Sequence, residues 1–294
     1  MLPRAAPGIG DEVELRLHCS STPRVLRAVR QVIPFGGRYL TVDSRPRFSI
    51  IVPAHNEEAL LPRGLEALRS AVGRSGSSAE VVVVANRCTD ATEAIAEAAG
   101  AMVVVDDHRN IAATRNAGVA ASTGEVVVTI DADTVIHPDA LAEVDRLAST
   151  GRFVGGGCSI VMERNSLGLA VTGFLMRSVM VLTRSGAVMF WCRRDDFDAM
   201  GGFDENLRIA EDLDFARRLR LHGRTTNRRF RNVRSAPARV CVRKWDRFGD
   251  WHYFTRVSAT AMRARRPREA DVRVIDEYFY DYDARDAGSA ASSG

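Results

Sequence analysis

Two hydrophobic periodicities take turns along the middle of the chain. Short runs of β-branched and aliphatic residues, such as "FSIIVPA" and "EVVVVAN", are followed by segments whose apolar positions lie three and four residues apart. Strands that alternate with helices in this way form right-handed crossovers and a parallel sheet. The sequence therefore predicts an α/β fold with strands at residues 48–54, 80–86, 101–107 and 125–131, and helices at residues 59–72, 91–100 and 111–122.

The flanking regions follow less regular patterns. After the alternating part, the pattern predicts a helix, two strands and, through "EDLDFARRLRLHG", a final helix that we expect to end at Gly223. Before it, "EVELRLHC" predicts a short strand and "TPRVLRAVRQVI" predicts a helix. The elements predicted after the alternating part are a helix at residues 137–150 and strands at residues 153–162 and 187–194.

These patterns divide the chain into three regions. Residues 1–46 form an N-terminal extension without a motif, and residues 47–268 form one enlarged α/β domain. That domain has a nucleotide-binding type of first half, residues 47–135, and a second half, residues 136–268. Residues 269–294 are acidic and end in small residues, so we expect a flexible tail.

The charged composition is dominated by arginine. The net charge is only +4 over 294 residues, and Lys244 is the one lysine in the sequence. The arginine-rich segment, residues 224–268, predicts a solvated face; a diphosphate clamp or a surface for an anionic acceptor is the alternative. Nucleic-acid binding has no supporting motif.

The cysteine pattern and the hydropathy favour a cytoplasmic protein. No C-x-x-C spacing occurs and the start lacks a secretion signal, so a disulfide framework, a zinc site and export are all disfavoured. The most apolar segment, residues 167–191, is interrupted by Arg177 and Arg184 and is too polar to span a membrane. It predicts a packed helix followed by a strand, with an in-plane membrane or lipid-acceptor surface as the alternative. The cysteines are Cys19, Cys88, Cys158, Cys192 and Cys241.

The stretch "VVVTIDADTVIHP" places Asp131 and Asp133 where a buried strand leaves the sheet. Two acids there would repel each other without a cation, so Mg²⁺ or Mn²⁺ held against a diphosphate is one interpretation. The other is the aspartyl nucleophile of a haloacid-dehalogenase-like phosphatase, whose D-x-D-x-[TV] pattern "DADTV" also satisfies. That class needs a lysine before its last acidic pair, and Lys244 comes about thirty residues after "EDLD", which disfavours it.

The remaining polar groups at strand ends admit structural or ligand roles. "VPAHNEE" lacks the G-x-G-x-x-G and Walker patterns, but Asn56 and Glu57 could face a nucleoside or begin a helix. Asn86 ends the second strand, where it could hydrogen-bond a base, whereas Asp90 is expected to cap the next helix. Arg115 could pair with Asp131 or reach a phosphate.

The second acidic cluster, "AEDLDF", places Glu211 and Asp212 at the start of a helix, where the macrodipole favours their charged forms. Plain N-terminal helix acids are one interpretation. The other is a general base that takes a proton from an attacking hydroxyl group.

Taken together, these motifs resemble the family 2 glycosyltransferases of the GT-A fold, in the family's order, from about Phe48 to Gly223. The resemblance implies a nucleotide-binding sandwich with a mostly parallel central sheet flanked by helices. It also implies that residues 47–135 bind the nucleotide-sugar and residues 136–268 the acceptor. The motifs are "SIIVPAHNEE", "VVVVANRCTDAT", "ATRNAGVAASTGEVVVTIDADT" and "GGFDENLRIAEDLDFARRLRLHG".

The resemblance also assigns site residues. Asp133 would coordinate Mn²⁺ or Mg²⁺ directly, Asp131 would hold the ribose or a metal-bound water, and Asp212 would be the catalytic base. The other donor-binding residues implied are Pro53, Ala54, Glu57, Asn86, Arg115, Ala132 and Glu211.

The activity implied is transfer of one sugar from a nucleotide-sugar, with inversion, to a small-molecule, lipid-linked or protein acceptor. Ala85 and Asn86 stand where many members carry an acid that meets uracil, so UDP is favoured without being fixed. The Q-x-x-R-W signature of processive members is absent, which indicates a discrete acceptor and at most peripheral membrane contact. A binding or scaffold protein with a decayed transferase fold is the main alternative, ahead of a nucleotidyltransferase.

Overall fold

The computed structural model describes residues 12–17, 24–29, 45–164, 187–207 and 210–242, together with scattered positions between 166 and 178. The strands are β1 (Glu12–Leu17), β2 (Arg24–Val29), β3 (Phe48–Ala54), β4 (Ala79–Asn86), β5 (Met102–Asp106), β6 (Val126–Ile130), β7 (Thr134–Val135), β8 (Phe153–Met162), β9 (Ala187–Arg193), β10 (Arg229–Phe230) and β11 (Val233–Val240). The helices are α1 (Leu61–Ser75), α2 (Thr92–Ala98), α3 (Ile111–Ala120), α4 (Ala140–Ser149), α5 (Arg194–Ala199) and α6 (Glu211–Thr225).

All described strands belong to one mixed sheet. The neighbours β5, β4, β3 and β6 are parallel, as the βα pattern predicts. Beyond β6, the strand β9 runs antiparallel between β6 and β8, while β11 returns parallel to β8 and pairs with β7. The predicted α/β fold class is confirmed, and its parallel character is concentrated in the first half of the sheet.

Helices cover both faces of the sheet. The buried residues of α1, α2 and α4 pack on one face, and those of α3, α5 and α6 pack on the other. Because both faces are covered, every residue of β3 and of β6 is buried, which explains their nearly continuous apolar sequences. The carboxyl ends of these strands therefore meet at one edge, between two layers of helices.

The predicted helix within residues 22–33 is wrong, because residues 24–29 form β2. This strand pairs with β1 on one side and with β5 on the other, both antiparallel. The local sequence suits either conformation, and pairing with the open edge of β5 decides between them. The N-terminal segment thus adds two strands to the main sheet.

The predicted helix end at Gly223 is also wrong, since α6 continues to Thr225. A Cβ atom at Gly223 would lie 2.6 Å from the carbonyl oxygen of Arg228 and 2.8 Å from Cγ1 of Val154. The glycine therefore permits close packing of the helix rather than ending it. The elements α5, β7, β10 and β11 are not predicted, because α5, β7 and β10 are only two to six residues long and the sequence of β11, VRSAPARV, contains a proline and two arginines.

The remaining predictions meet the structure only in part. The strand at the end of residues 167–191 is confirmed as β9, and the described part of the chain holds no helix long and apolar enough to cross a membrane. The arginine-rich segment is described only as far as residue 242, and the tail, residues 269–294, lies outside the described residues. Cys88, Cys158, Cys192 and Cys241 are free thiols, as predicted.

Candidate active site

The turn after β6 carries the two aspartates of "DAD". The backbone N–H of Asp131 donates to the carbonyl of Val188 on β9 at 3.2 Å, and Thr134 N–H donates back to the Asp131 carbonyl at 3.0 Å. Ala132 is buried, whereas Asp131 and Asp133 are half-buried. A Cβ on Gly64 of α1 would lie 3.1 Å from the Ala132 carbonyl oxygen, so α1 packs tightly against this turn. The turn is therefore held from two sides while both carboxylates keep access to solvent.

Arg115 joins the two acidic motifs of the sequence. From the buried face of α3, its Nη2 donates to Asp131 Oδ1 at 2.9 Å and its Nη1 donates to Glu211 Oε1 at 2.8 Å. The side chain is only 7% exposed, so both ion pairs lie in a medium that screens them weakly. Burial lowers the pKa of Arg115, but the charges of Asp131 and Glu211 outweigh burial and raise it. Of the two roles considered for Arg115, pairing with Asp131 is observed; the pair with Glu211 was not predicted.

Asp212 lies beside this junction at the start of α6. Burial, reinforced by the charge of Glu211 and opposed by that of Arg115, raises the pKa of Asp212 to about 6. The residue before the helix, Ala210, has a left-handed backbone (φ 60) and gives no side-chain cap. Instead, Asp212 Oδ1 accepts from the N–H of Leu213 at 2.7 Å. A carboxylate with this pKa is largely ionised at neutral pH and is a competent proton acceptor.

Pro53 and Ala54 end β3, and the residues after them form the first loop. The N–H of Glu57 donates to Thr92 Oγ1 at 2.8 Å, and the Glu57 carbonyl accepts from Leu60 and Leu61. The backbone of Glu57 therefore precedes α1 and connects it to α2. This agrees with the interpretation that Glu57 lies at the beginning of a helix.

Asn56 and Asp90 complete the tie between the first two loops. Asn56 has a left-handed backbone (φ 52), and its Oδ1 accepts from Thr89 N–H at 2.8 Å. Asp90 accepts from the N–H groups of Glu58 and Thr92, each at 3.0 Å. The predicted capping role of Asp90 at α2 is confirmed.

Asn86 is part of a buried polar network at the ends of β4 and β5. Its Nδ2 donates to Asp106 Oδ2 at 2.8 Å and to the His108 carbonyl at 2.6 Å. Asp106 also accepts from Thr114 Oγ1 at 2.8 Å and lies 2.5 Å from His108 Nδ1. The orientation of the Asn86 amide is thus fixed by the protein. The sequence signal for this network is the pair of acids that ends the strand "AMVVVDD", which the pattern alone does not connect to Asn86.

The charges around Arg115 are suited to a divalent cation. Four carboxylates, those of Asp131, Asp133, Glu211 and Asp212, against one guanidinium leave a formal charge of −3 when all are ionised. Within the described ranges, no three His, Cys, Asp or Glu residues converge closely enough to hold a metal by themselves. Mg²⁺ and Mn²⁺ are commonly held by one or two carboxylates together with substrate phosphates and water, and this donor set fits that mode.

Sequence comparisons place this site within a known family. The family model "Glycosyl transferase family 2" matches residues 49–169, and the model "Glycosyl transferase family group 2" matches residues 126–253. Their overlap contains the "DAD" turn, and the second model includes Glu211 and Asp212. The two matches together span the site from β3 to the end of the described chain.

Curated relatives match the chain over part of their length. The succinoglycan biosynthesis protein ExoO of Rhizobium meliloti is 30% identical over 115 residues, which is 37% of this chain and 32% of that protein. The undecaprenyl-phosphate 4-deoxy-4-formamido-L-arabinose transferase of Pseudomonas aeruginosa is 35% identical over 123 residues, 40% of this chain and 36% of that protein. The chain thus spans about a third of the length of these relatives.

Solved structures share the fold at low sequence identity. The mannosyltransferase PcManGT of Pyrobaculum calidifontis, in complex with GDP-Man and Mn²⁺, has a TM-score of 0.58 at 19% identity and covers 86% of this chain and 77% of its own. S. aureus TarS 1–349, in complex with UDP-GlcNAc, has a TM-score of 0.53 at 19% identity, over 66% of this chain and 58% of its own. The α/β fold is the GT-A fold, and the two models, each over less than half of the chain, together match residues 49–253 to family 2 glycosyltransferases.

Proposed function

We propose that this protein transfers a single sugar from a nucleotide-sugar to a hydroxyl group of a discrete acceptor, with divalent-metal dependence and inversion. The observation that carries the proposal is the Arg115 junction, in which one buried guanidinium holds Asp131 of the "DAD" turn and Glu211, next to Asp212. The junction supports the proposal because it holds the "DAD" turn beside Glu211 and Asp212. Metal-dependent transfer with inversion, as proposed, would use a cation at that turn and a proton acceptor at Asp212.

On the donor side, Asp133 would bind the cation, with Asp131 beside it. When bound, Mn²⁺ or Mg²⁺ offsets the negative charge that develops on the departing diphosphate. Arg115 neutralises part of the acidic cluster and holds Asp131 in place. The nucleoside would lie over the end of β3 and the loop after it, at Pro53, Ala54 and Glu57, with Asn86 behind.

On the acceptor side, Asp212 would act as the general base. Its carboxylate takes the proton of the acceptor hydroxyl while the oxygen forms a bond to the anomeric carbon and the bond from that carbon to the diphosphate oxygen breaks. The nucleoside diphosphate leaves from the opposite face, so one displacement inverts the anomeric centre. The pKa of about 6 keeps Asp212 ionised at neutral pH and still basic enough to accept the proton.

The donor proposed is a UDP-sugar. The structural relative TarS has UDP-GlcNAc in its complex and PcManGT has GDP-Man, so the fold accommodates either nucleotide. Asn86, whose amide N–H groups are occupied by Asp106 and His108, would offer its Oδ1 to the imide N–H of a uracil. A lipid-linked or polysaccharide acceptor is proposed from the names of the curated relatives.

A panel of nucleotide-sugars tests this proposal. Thermal unfolding is measured with each of UDP-, GDP-, dTDP- and CDP-sugars, with and without Mn²⁺, and a true donor raises the melting temperature only with the metal. Calorimetry then compares the wild type with Asp133→Ala, for which we expect at least a 100-fold loss of metal-dependent donor affinity. Asp139→Ala is a matched control, since this exposed residue lies beyond the turn and pairs with Arg74.

Two results would contradict the proposal. If no nucleotide-sugar stabilised the protein with either metal, a scaffold derived from a transferase would be the better description. If Asp133→Ala bound the donor as tightly as the wild type in the presence of Mn²⁺, the cation would have to be held elsewhere.

A further inference from the structure

The loop of residues 201–207, "GGFDENL", lies between α3 and α6, and we call it the bridging loop. It begins with two glycines in the left-handed backbone region, Gly201 (φ 73) and Gly202 (φ 69). A Cβ on Gly202 would lie 2.6 Å from Asn116 Oδ1, so only glycine lets α3 approach this closely.

On the α3 side, Asn116 binds the bridging loop as a neighbouring strand would. Its Oδ1 accepts from the N–H of Phe203 at 2.9 Å, and its Nδ2 donates to the carbonyl of Phe203 at 2.9 Å. The same Nδ2 donates to Glu205 Oε1 at 2.8 Å. Asn110, which caps α3 through its Oδ1, donates from Nδ2 to the carbonyl of Glu205 at 2.6 Å. Side chains at the start and in the middle of α3 therefore fix the loop.

On the α6 side, two side chains hold the same loop. Arg218 Nη1 donates to the carbonyl of Gly202 at 2.7 Å, and its Nε pairs with Asp214 in the first turn of α6. The ring of Phe203 stacks on that of Phe215, with centroids 4.1 Å apart. Since Phe203 is buried, its place between the two helices fixes their separation.

The bridging loop also contacts the Arg115 junction directly. The guanidinium of Arg115 lies over the ring of Phe203, 5.2 Å from its centroid. Arg115 and Asn116 are consecutive on α3. Arg115 binds Asp131 and Glu211, and Asn116 binds Phe203, whose ring lies beneath the Arg115 guanidinium. Displacing Phe203 would release both the support of Arg115 and the contact with Phe215.

We infer that Asn116 is a positioning residue, which acts through Phe203 to set the start of α6, and with it Asp212, relative to Arg115. The expected effect on kcat rests on the proposed function. The structural link from Asn116 through Phe203 to α6 does not. Asn116 touches no reacting atom. Its effect is geometric, and misplacement of a catalytic group by about 1 Å can cost on the order of 100-fold in rate.

The variant Asn116→Asp tests the inference with little change in shape. The carboxylate still accepts from Phe203 N–H, but its second oxygen now faces two acceptors, the Phe203 carbonyl and Glu205 Oε1. We expect kcat to fall about 10- to 100-fold, with the donor dissociation constant in the presence of Mn²⁺ changed less than about 3-fold. In N116D/E205Q, the new amide donates to the carboxylate, and several-fold of the lost kcat should return.

Asp196→Asn is the matched structural control. Asp196 is buried on α5 and accepts from Arg228 at 2.7 Å and from His222, at the far end of α6 from Asp212. This variant should lower the melting temperature as much as Asn116→Asp or more, while kcat at a temperature where the protein is folded stays within 2-fold. Hydrogen exchange supplies a readout without activity: Asn116→Asp should speed exchange at residues 203–207 and also at 211–215.

The outcomes separate the inference from the proposed function. If kcat of Asn116→Asp fell no more than that of Asp196→Asn, or if faster exchange stopped at residue 207, the inference would be overturned. If the wild type transferred no sugar from any donor, the proposed function would fail, and exchange at residues 211–215 would alone decide whether Asn116 positions α6.

Discussion

The two halves of the sheet bring their acidic residues to the site by different routes. In the first half, residues 48–135, β3, β4 and β5 pair with neighbours one helix away in sequence, β6 pairs with β3, and Asp131 lies directly after the buried strand β6. In the second half, β9 inserts between β6 and β8, and α6 is held by contacts to α3 from residues more than 80 positions away. The donor side is thus encoded locally, whereas the base depends on long-range contacts.

This difference has an energetic consequence. Local βα units bury apolar residues on both faces, so single polar substitutions at their ends leave the sheet intact. The start of α6 instead depends on a buried ion pair, an aromatic stack and two asparagines. Variants in the second half should therefore affect catalysis and stability together, while Asp133→Ala, outside the Arg115 pairs, should affect donor binding more than stability.

The largest effect is expected for Asp212→Asn. Loss of the proton acceptor should lower kcat about 1000-fold or more, within the range of general-base contributions, while donor affinity with Mn²⁺ stays within about 3-fold. Initial rates and calorimetry on the same preparation measure both. Glu66→Gln, in the exposed pair with Arg69 on α1, is the control. Normal turnover by Asp212→Asn would remove its role as base.

Next in size is Arg115→Lys, which breaks the link between the halves. An ammonium group cannot hold Asp131 and Glu211 in the same bidentate geometry, so we expect kcat/KM to fall about 100-fold. The free energy of unfolding should fall by about 1–3 kcal/mol, because both carboxylates lose part of a buried partner. Denaturant titration and steady-state kinetics check the two values.

The control for that variant is Arg69→Lys, in the exposed pair with Glu66. Its stability should change by less than about 0.5 kcal/mol and its activity not at all. If Arg115→Lys behaved like this control, the junction would not connect the two halves.

A third prediction concerns the pH dependence of stability. The pKa of Asp212 is about 6 in the folded protein against an ordinary value of 3.8, so the protonated form is favoured on folding. The stability that it contributes is complete below about pH 4 and is lost as the pH rises through about 6. Asp212→Asn, which stays neutral, should therefore be more stable than the wild type above pH 7 by about 1–3 kcal/mol, and no more stable near pH 3.5.

Urea unfolding of the ligand-free proteins at several pH values measures this difference. A gap between variant and wild type that did not change between pH 3.5 and pH 7.5 would show that Asp212 is not held in a costly ionised state. Such a result would mean that the stability of α6, like that of the first half of the sheet, does not depend on the charge of Asp212.

The accuracy of the sequence-based predictions also differs between the two halves of the sheet. The four parallel strands and three crossover helices are confirmed to within a few residues, because each has its own apolar period. The aspartates after β6 could be located from that strand alone. Arg115 could be placed on a helix near Asp131, but its second partner, Glu211, could not be foreseen, because α6 reaches α3 only through the folded second half.

The wrong predictions have physical causes of the same kind. The helix predicted at β2 is wrong because the pairing of β2 with β5 cannot be seen in the sequence of residues 24–29. The helix end predicted at Gly223 is wrong because the sequence does not show that this glycine packs against Val154. Asn86 was weighed as a base contact without the Asp106 network that orients it. The sites assigned by resemblance remain predictions for the experiments above.

Effects on stability without a role in catalysis are expected from two helical glycines that look alike in sequence. Gly73 in α1 has nothing within 4 Å of its missing Cβ, so Gly73→Ala should stabilise the protein by about 1 kcal/mol through helix propensity. Gly223→Ala should destabilise it by about 1–3 kcal/mol, because the methyl group meets the Arg228 carbonyl and Val154. Urea unfolding of both variants measures these changes. If Gly223→Ala raised the free energy of unfolding, the close packing of Gly223 against Arg228 and Val154 would be contradicted.

The pairing of β2 with β5 has a consequence for the integrity of the sheet. If residues 1–46 were removed, the outer edge of β5 would present unpaired N–H and C=O groups beside Val105, which is already 39% exposed. Another chain could then add to that edge and begin a stack of molecules. The antiparallel pair of β1 and β2 therefore covers the β5 edge of the sheet, at the opposite end of the strand order from β7.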